Sequence, residues 1–167
     1  ESTIRTMSKW QKDGIVKKRL AELSGDTINK LRESLPSVAG FFNPVDVIGD
    51  ARADRYGAAV DAVLSDPNVN GALVILTPQA MTEVEKTAEI VAAKSGSGKT
   101  LMASFMGDAS MKGALEILRR GWVPNYTYPE RGIKSFATMV RYAQWLKEPE
   151  PVIATFDVNR ERVKEIF

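Results

Sequence analysis

The 167-residue sequence contains neither histidine nor cysteine. Without cysteine, the chain has no disulfide, no thiol nucleophile and no thiolate metal ligand. A zinc site would need carboxylate ligands alone, because imidazole ligands are missing too, and such sites are uncommon. We therefore expect no metal site in this chain.

Strong net charge and long apolar runs are also absent. The net charge of +2 is too small to indicate nucleic acid or an acidic membrane as a partner. The longest apolar runs, such as Gly71–Leu76, are too short to cross a bilayer, and no signal peptide is visible. A composition of 44% hydrophobic and 26% charged residues is typical of a soluble domain. We expect a cytoplasmic protein. The first residue, Glu1 rather than Met, suggests a cut inside a longer polypeptide, and N-terminal processing would give the same start.

Short apolar runs alternate with amphipathic helical segments in the middle of the chain. The predicted strands are residues 45–48, 71–76, 101–106 and 122–128, the last at a sheet edge because it contains Pro124. The predicted helices are residues 52–65, 82–93, a segment from Met111 to Gly121, and 130–146. Thr82 and Glu85 have the spacing of a capping box at the second helix. This order predicts a flavodoxin-like, three-layer α/β/α fold with a mostly parallel sheet and right-handed crossovers.

The two flanks differ from this pattern. Residues 1–35 read as helical segments, the second over 26–35, without a buried strand, and we interpret them as the C-terminal remnant of a preceding domain. The flavodoxin-like domain then covers residues 36–147. Residues 148–167 begin with a proline-rich linker composition and close in a helical pattern, which indicates a connector to a further domain.

Ligands of doubly wound sheets bind outside the carboxyl ends of the strands, which draws attention to three loops. In the 77–81 loop, Thr77, Pro78, Gln79 and Ala80 precede a helix, so free N–H groups and the helix dipole would attract a phosphoryl group. The other interpretation is an ordinary helix entry, with Thr77 as the cap and Pro78 in the first turn.

The other two loops carry polar or small residues. The 43–51 loop contains Asn43, Asp46, Gly49 and Asp50, in which Gly49 would permit close backbone approach or a positive φ, and Asp50 is alternatively a helix cap. The 106–107 loop consists of Met106 and Gly107. Asp108 after it is most simply an N-cap, and Arg131 is either a phosphate contact or a solvated side chain.

The sequence SGSGKT at residues 95–100 imitates the end of a phosphate-binding P-loop. The full pattern requires glycine where Ala93 stands, and the segment leaves a helix and enters a strand, which is the reverse of a P-loop. We interpret it as a helix-to-strand turn.

Six phrases in chain order resemble one protein family. They are LAELS (20–24), NPVDVIGDA (43–51), LTPQAM (76–81), ASFMG (103–107), PER (129–131) and RY (141–142). Together they resemble the C-terminal, flavodoxin-like domain of the α subunit, or of a fused protein, in the NDP-forming (ADP-forming) acyl-CoA synthetases, relatives of succinyl-CoA synthetase.

The resemblance implies an acid–thiol ligase of the ADP-forming acetate–CoA type. Its reaction is acyl-CoA + ADP + phosphate to acid + CoA + ATP, through an acyl phosphate and a phosphohistidine. The resemblance implies partners as well: a CoA-binding domain, a phosphohistidine domain and an ATP-grasp domain. The parent would use CoA, ADP or ATP, and Mg²⁺, whereas this fragment is expected to bind no cofactor itself.

Within this chain the resemblance implies a supporting role. Having no histidine, the chain would contain no catalytic residue and would be inactive alone. The phosphohistidine would be held by the 77–81 loop through Thr77, Pro78, Gln79 and Ala80. The succinyl-CoA relatives, however, have a glycine pair where this chain has Pro78 and Gln79. Residues of the other two loops would line the same interdomain site: Asn43, Asp46, Gly49, Asp50, Met106 and Gly107. An alternative is a synthetase-like sensor of acyl-CoA or nucleotide within a regulatory or acetyltransferase protein.

Overall fold

A computed structural model describes residues 20–107, 109–149 and 160–166. The elements in this part of the chain are α1 (Gly25–Ser34), α2 (Ala53–Ser65), β1 (Gly71–Leu76), α3 (Val84–Ala93), β2 (Thr100–Phe105), α4 (Lys112–Arg120), α5 (Pro129–Trp145) and α6 (Arg160–Ile166). A short 3₁₀ turn, Ala109–Met111, leads into α4. The helices from α1 to α5 begin and end within two residues of the predicted bounds, because their apolar residues recur at helical spacing.

The two strands form a parallel pair in which Gly71 lies opposite Thr100 and Leu76 opposite Phe105. Both were predicted from their apolar runs. The 122–128 run lies on the other side of β2, as expected of a sheet edge, but it contributes only a bridge between Asn125 and Ala103. The main chain of Ala103 donates to Pro124 O and accepts from Tyr126 N, each at 2.9 Å.

The predicted strand at residues 45–48 is wrong. Only Asp46 pairs, in an isolated antiparallel bridge with Gly40. Asp46 Oδ1 accepts a hydrogen bond from Ile48 N at 2.9 Å, and Ile48 has a φ of 67°, so the chain turns instead of continuing as a strand. The apolar side chains of Val45, Val47 and Ile48 pack against the cluster that joins α1 to α2.

Helices cover both faces of the β1–β2 pair. Val74 and Leu76 of β1 face the core shared with α2, α3 and α4. On the opposite face, a Cβ atom added to Gly71 would lie 2.7 Å from the Phe136 ring of α5 and 2.5 Å from Thr100 O, so only glycine fits there. Since alternate residues of a strand point to opposite faces, the predicted three-layer α/β/α arrangement with parallel strands is confirmed.

Helix α1 packs against α2 through Leu31 and Leu35, which contact the cluster that includes Ala59 and Ala62. The segment before α1 is also attached to this body, because Ser24 N donates to Asp66 Oδ2 at 2.7 Å. The domain boundary expected near residue 35 stays a prediction. The helical segments expected within residues 1–19 and the linker at 150–159 lie outside the described residues.

Candidate functional site

The carboxyl ends of β1 and β2 bring two of the candidate loops together. Met106 N donates to Leu76 O at 2.8 Å and so extends the ladder by one residue. A Cβ atom on Gly107 would lie 3.0 Å from Met111 Cγ and 3.4 Å from Pro78 Cγ. The 77–81 and 106–107 loops are therefore adjacent, and the absence of a side chain at Gly107 leaves room for Met111.

The 77–81 loop is a turn that precedes α3. Gln79 N donates to Thr82 Oγ1 at 2.9 Å, and Thr82 N donates to Gln79 O at 3.0 Å. Because α3 begins only at Val84, Thr77 is not its cap and Pro78 is not in its first turn. The predicted capping box of Thr82 and Glu85 is wrong too: the N-cap is Glu83, and the Thr82 hydroxyl is already bonded to Gln79.

Several donors at this edge of the sheet have no partner among the described residues. The Thr77 hydroxyl and the Ala80 main-chain N–H make no hydrogen bond within residues 20–107, 109–149 and 160–166, and both residues are exposed. The N-termini of α3 and α4, which pack against each other, have no side-chain cap. Free N–H groups at helix N-termini carry partial positive charge, while Glu83 and Glu85 place carboxylates at the start of α3 and Glu85 lies close to Gly113 in the first turn of α4.

The polar side chains of the 43–51 loop bond elsewhere. Asn43 Nδ2 donates to Ala21 O at 3.1 Å, towards the segment that precedes α1. Asp50 Oδ1 pairs with an Arg55 guanidinium nitrogen at 2.6 Å and does not cap α2, whose N-cap is Arg52. Gly49 does not have the positive φ that the sequence allowed, which falls on Ile48 instead, and a Cβ on Gly49 would meet no atom of this chain within 4 Å.

Glu83 joins the starts of α2 and α3, a contact that sequence reasoning missed. Its Oε2 accepts from Ala53 N at 3.1 Å, and its Oε1 accepts from Lys86 Nζ at 3.3 Å. The hydrogen bond from Ala53 N, followed by that from Lys86, lowers the pKa of the Glu83 carboxyl. No local pattern reveals this pairing, because the two residues are 30 positions apart.

Residues 10–149 match the family model of the Ligase-CoA domain. The chain belongs to this family. The resemblance recognised in the six phrases is thereby confirmed at the family level.

Relatives of this Ligase-CoA domain are ADP-forming acyl-CoA ligases. The chain is 37% identical over 145 residues to acetate–CoA ligase (ADP-forming) I of Archaeoglobus fulgidus, covering 87% of this chain and 20% of the relative. It is also 37% identical over 139 residues to 4-hydroxybutyrate–CoA ligase (ADP-forming) of Nitrosopumilus maritimus, with coverage of 83% and 20%. The chain thus spans about a fifth of the length of these relatives.

Solved structures agree with the fold. The crystal structure of a Pyrococcus horikoshii protein superposes with a TM-score of 0.74 at 30% identity, covering 87% of this chain and 34% of that one. A dinucleotide-forming acetyl-coenzyme A synthetase of Candidatus Korarchaeum cryptofilum, in complex with phosphate and ADP, gives a TM-score of 0.73 at 25% identity, with coverage of 85% and 31%.

Three candidates from the sequence remain: the P-loop imitation, Arg131 and Asp108. Residues 95–99 lie between α3 and Thr100, the first residue of β2, so the P-loop imitation is a helix-to-strand turn, as predicted. Arg131 is exposed in the first turn of α5. Asp108 lies outside the described residues.

The structure shows neither a membrane-spanning helix nor a metal-binding cluster among the described residues. None of the helices in that part of the chain has the length and apolar character needed to cross a membrane. The described part of the chain also contains no group of three or more acidic side chains placed to hold a metal ion.

Proposed function

We propose that this Ligase-CoA domain is one part of an ADP-forming acyl-CoA synthetase, in which its 77–81 and 106–107 loops stabilise a phosphohistidine supplied by another part of the enzyme. The observation that carries the proposal is the contact between these loops at the ends of two parallel strands, with unpaired donors beside them. The ADP-forming ligases among its relatives support the reaction class.

In the proposed reaction, different parts of the enzyme carry out different steps. Phosphate displaces CoA from the acyl-CoA to give an acyl phosphate, a histidine takes the phosphoryl group and releases the acid, and ADP then takes it to form ATP. This chain has no histidine, so the phosphoryl carrier belongs to another part. The Thr77 hydroxyl, the Ala80 N–H and the N-termini of α3 and α4 would stabilise the phosphoryl charge without forming a bond to it.

The partners follow from the same proposal. CoA-binding, phosphohistidine and ATP-grasp domains, in the same polypeptide or a partner subunit, would supply the remaining chemistry. We assign Mg²⁺ with its nucleotide to the ATP-grasp part. Asn43, Asp46, Gly49 and Asp50 would line the interdomain site beside the 77–81 loop, to which their segment is linked through Glu83 and Ala53.

The test uses the full-length protein that contains this chain. We expect ATP formation from acetyl-CoA or 4-hydroxybutyryl-CoA in the presence of ADP, phosphate and Mg²⁺. Thr77→Val should lower kcat about tenfold, because one donor to a charged group is lost, while KM for the acyl-CoA stays unchanged. Thr138→Val on α5 is the matched control, since the Thr138 hydroxyl bonds Lys134 O on the other face of the sheet.

Three outcomes contradict the proposal in different ways. A wild-type protein that cleaves neither acyl-CoA would refute the synthetase assignment, and acyl-CoA binding without turnover would support the sensor alternative. The role of the 77–81 loop would be refuted if Thr77→Val and Thr138→Val had equal kcat values and equal phosphohistidine levels, measured with labelled ATP.

A further inference from the structure

Glu83 holds the first turn of one helix with its side chain and begins the next helix with its main chain. Helix α2 has no side-chain hydrogen bond from its own N-cap, Arg52. Instead, the buried Ala53 N–H donates to Glu83 Oε2 at 3.1 Å. The Glu83 carbonyl accepts from Thr87 N at 2.8 Å and from Thr87 Oγ1 at 2.9 Å, which starts α3.

This contact lies where two candidate loops end. The 43–51 loop closes at Ala51, whose N–H donates to Ile48 O at 3.0 Å, and Ala53 follows two residues later. The 77–81 loop closes in the Gln79–Thr82 turn, and Glu83 follows directly. The Glu83–Ala53 hydrogen bond therefore joins the ends of both loops across 30 positions of sequence.

We propose that Glu83 is a positioning residue that fixes the separation of the 43–51 and 77–81 loops in the proposed synthetase site, and that it does so without contacting the phosphoryl group. This inference rests on the proposed function. A carboxylate suits the task because it accepts a charge-assisted hydrogen bond at the positive end of α2. Lys86, one helical turn away, bonds the second carboxylate oxygen and orients the group.

The chemistry of the side chain predicts an ordered series of variants. Glu83→Ala removes the acceptor, and Glu83→Asp shortens the side chain by one methylene, so the 3.1 Å contact with Ala53 N is lost or stretched. Glu83→Gln keeps an acceptor oxygen and loses only the charge. Glu89→Ala is the matched control, because Glu89 is an exposed glutamate on the same helix.

The first measurement is amide hydrogen exchange in the full-length protein. In Glu83→Ala we expect the Ala53 amide to exchange about tenfold faster, the consequence of losing one hydrogen bond. Exchange should rise together in both the 43–51 and 77–81 loops, whereas Glu89→Ala should match the wild type. An effect confined to the first turn of α2 would mean that Glu83 is only a helix cap, and would overturn the inference.

The second measurement separates positioning from stability. We expect Glu83→Ala to lower kcat about tenfold with KM for acyl-CoA unchanged, and Glu83→Gln to recover most of the loss. If Glu83→Ala does not fold, Glu83→Asp takes its place, and wild-type exchange and kcat in that variant would overturn the inference. If the wild type turns over and the Glu83 variants match it, positioning is wrong while the proposed function stands. An inactive wild type overturns both.

Discussion

Asp66 is the residue whose loss we expect to damage this fold most clearly. It is fully buried, its Oδ2 accepts from Ser24 N at 2.7 Å, and its Oδ1 accepts from Asn68 N at 2.8 Å. The first bond attaches the segment before α1 to the turn between α2 and β1. Asp66→Ala would remove both acceptors and leave two main-chain donors without these partners.

The magnitude follows from these two hydrogen bonds. A hydrogen bond to a charged group contributes about 1.5–3 kcal/mol, and two bonds to one carboxylate are not additive. We therefore expect Asp66→Ala to lower the free energy of unfolding by about 2–4 kcal/mol. The control is Asp61→Asn, because Asp61 pairs with Lys94 at 2.6 Å on the surface and its loss should cost at most about 1 kcal/mol.

Urea unfolding followed by circular dichroism measures both variants, and pH adds a second test. Burial raises the pKa of the Asp66 carboxyl, but the hydrogen bonds from Ser24, Asn68 and Thr27 outweigh it, so the pKa lies below its ordinary value of 3.8. The stabilisation is thus present above that value and is lost as pH falls through the lowered pKa. This account would be refuted if Asp66→Ala lowered the free energy of unfolding no more than Asp61→Asn does. It would also be refuted if the difference between Asp66→Ala and the wild type stayed unchanged at acid pH.

Two further predictions test local features. Trp122 follows Gly121, the C-cap of α4, has a φ of 59° and is 89% exposed. Trp122→Gly should therefore relieve backbone strain and raise the free energy of unfolding by about 1 kcal/mol, and an unchanged or lower Tm would contradict this. Gly107→Ala should destabilise by about 1–3 kcal/mol, because its Cβ would lie 3.0 Å from Met111 Cγ, whereas Gly49→Ala, with open space around it, should stay within about 0.5 kcal/mol. Equal urea midpoints for the two glycine variants would contradict the close approach of Met111 to Gly107.

Local pattern predicted most of the fold. The continuous apolar runs marked β1 and β2, and the three- and four-residue spacing of apolar side chains marked the helices. The errors occurred where a polar side chain forms a hydrogen bond with a main-chain group close to it in sequence. Asp46 turns the chain at Ile48, and the Thr82 hydroxyl closes a turn with Gln79 instead of capping α3. In both places a side-chain hydrogen bond competes with regular structure, and apolar spacing does not register it.

The candidate site was predictable in outline but not in its internal contacts. Parallel strands place their carboxyl ends at one edge, so the meeting of the 77–81 and 106–107 loops follows from topology. The contact of Pro78 with Gly107 and the hydrogen bond between Glu83 and Ala53 depend on how the helices pack. Such contacts join residues far apart in sequence, and a single sequence offers no signal for them.

The strength of an exposed helix terminus bears on how the proposed site would work. One such terminus stabilises a nearby anion by about 0.3–1 kcal/mol, whereas a free ligand with millimolar affinity needs about 4 kcal/mol. The N-termini of α3 and α4 together fall well short of that value, so this edge of the sheet would not retain free phosphate. A phosphoryl group attached to a histidine of an adjoining domain is different, because the tether supplies a high effective concentration. The weak, exposed donors of the 77–81 loop therefore suit a phosphoryl group that is delivered by a neighbouring domain and released again.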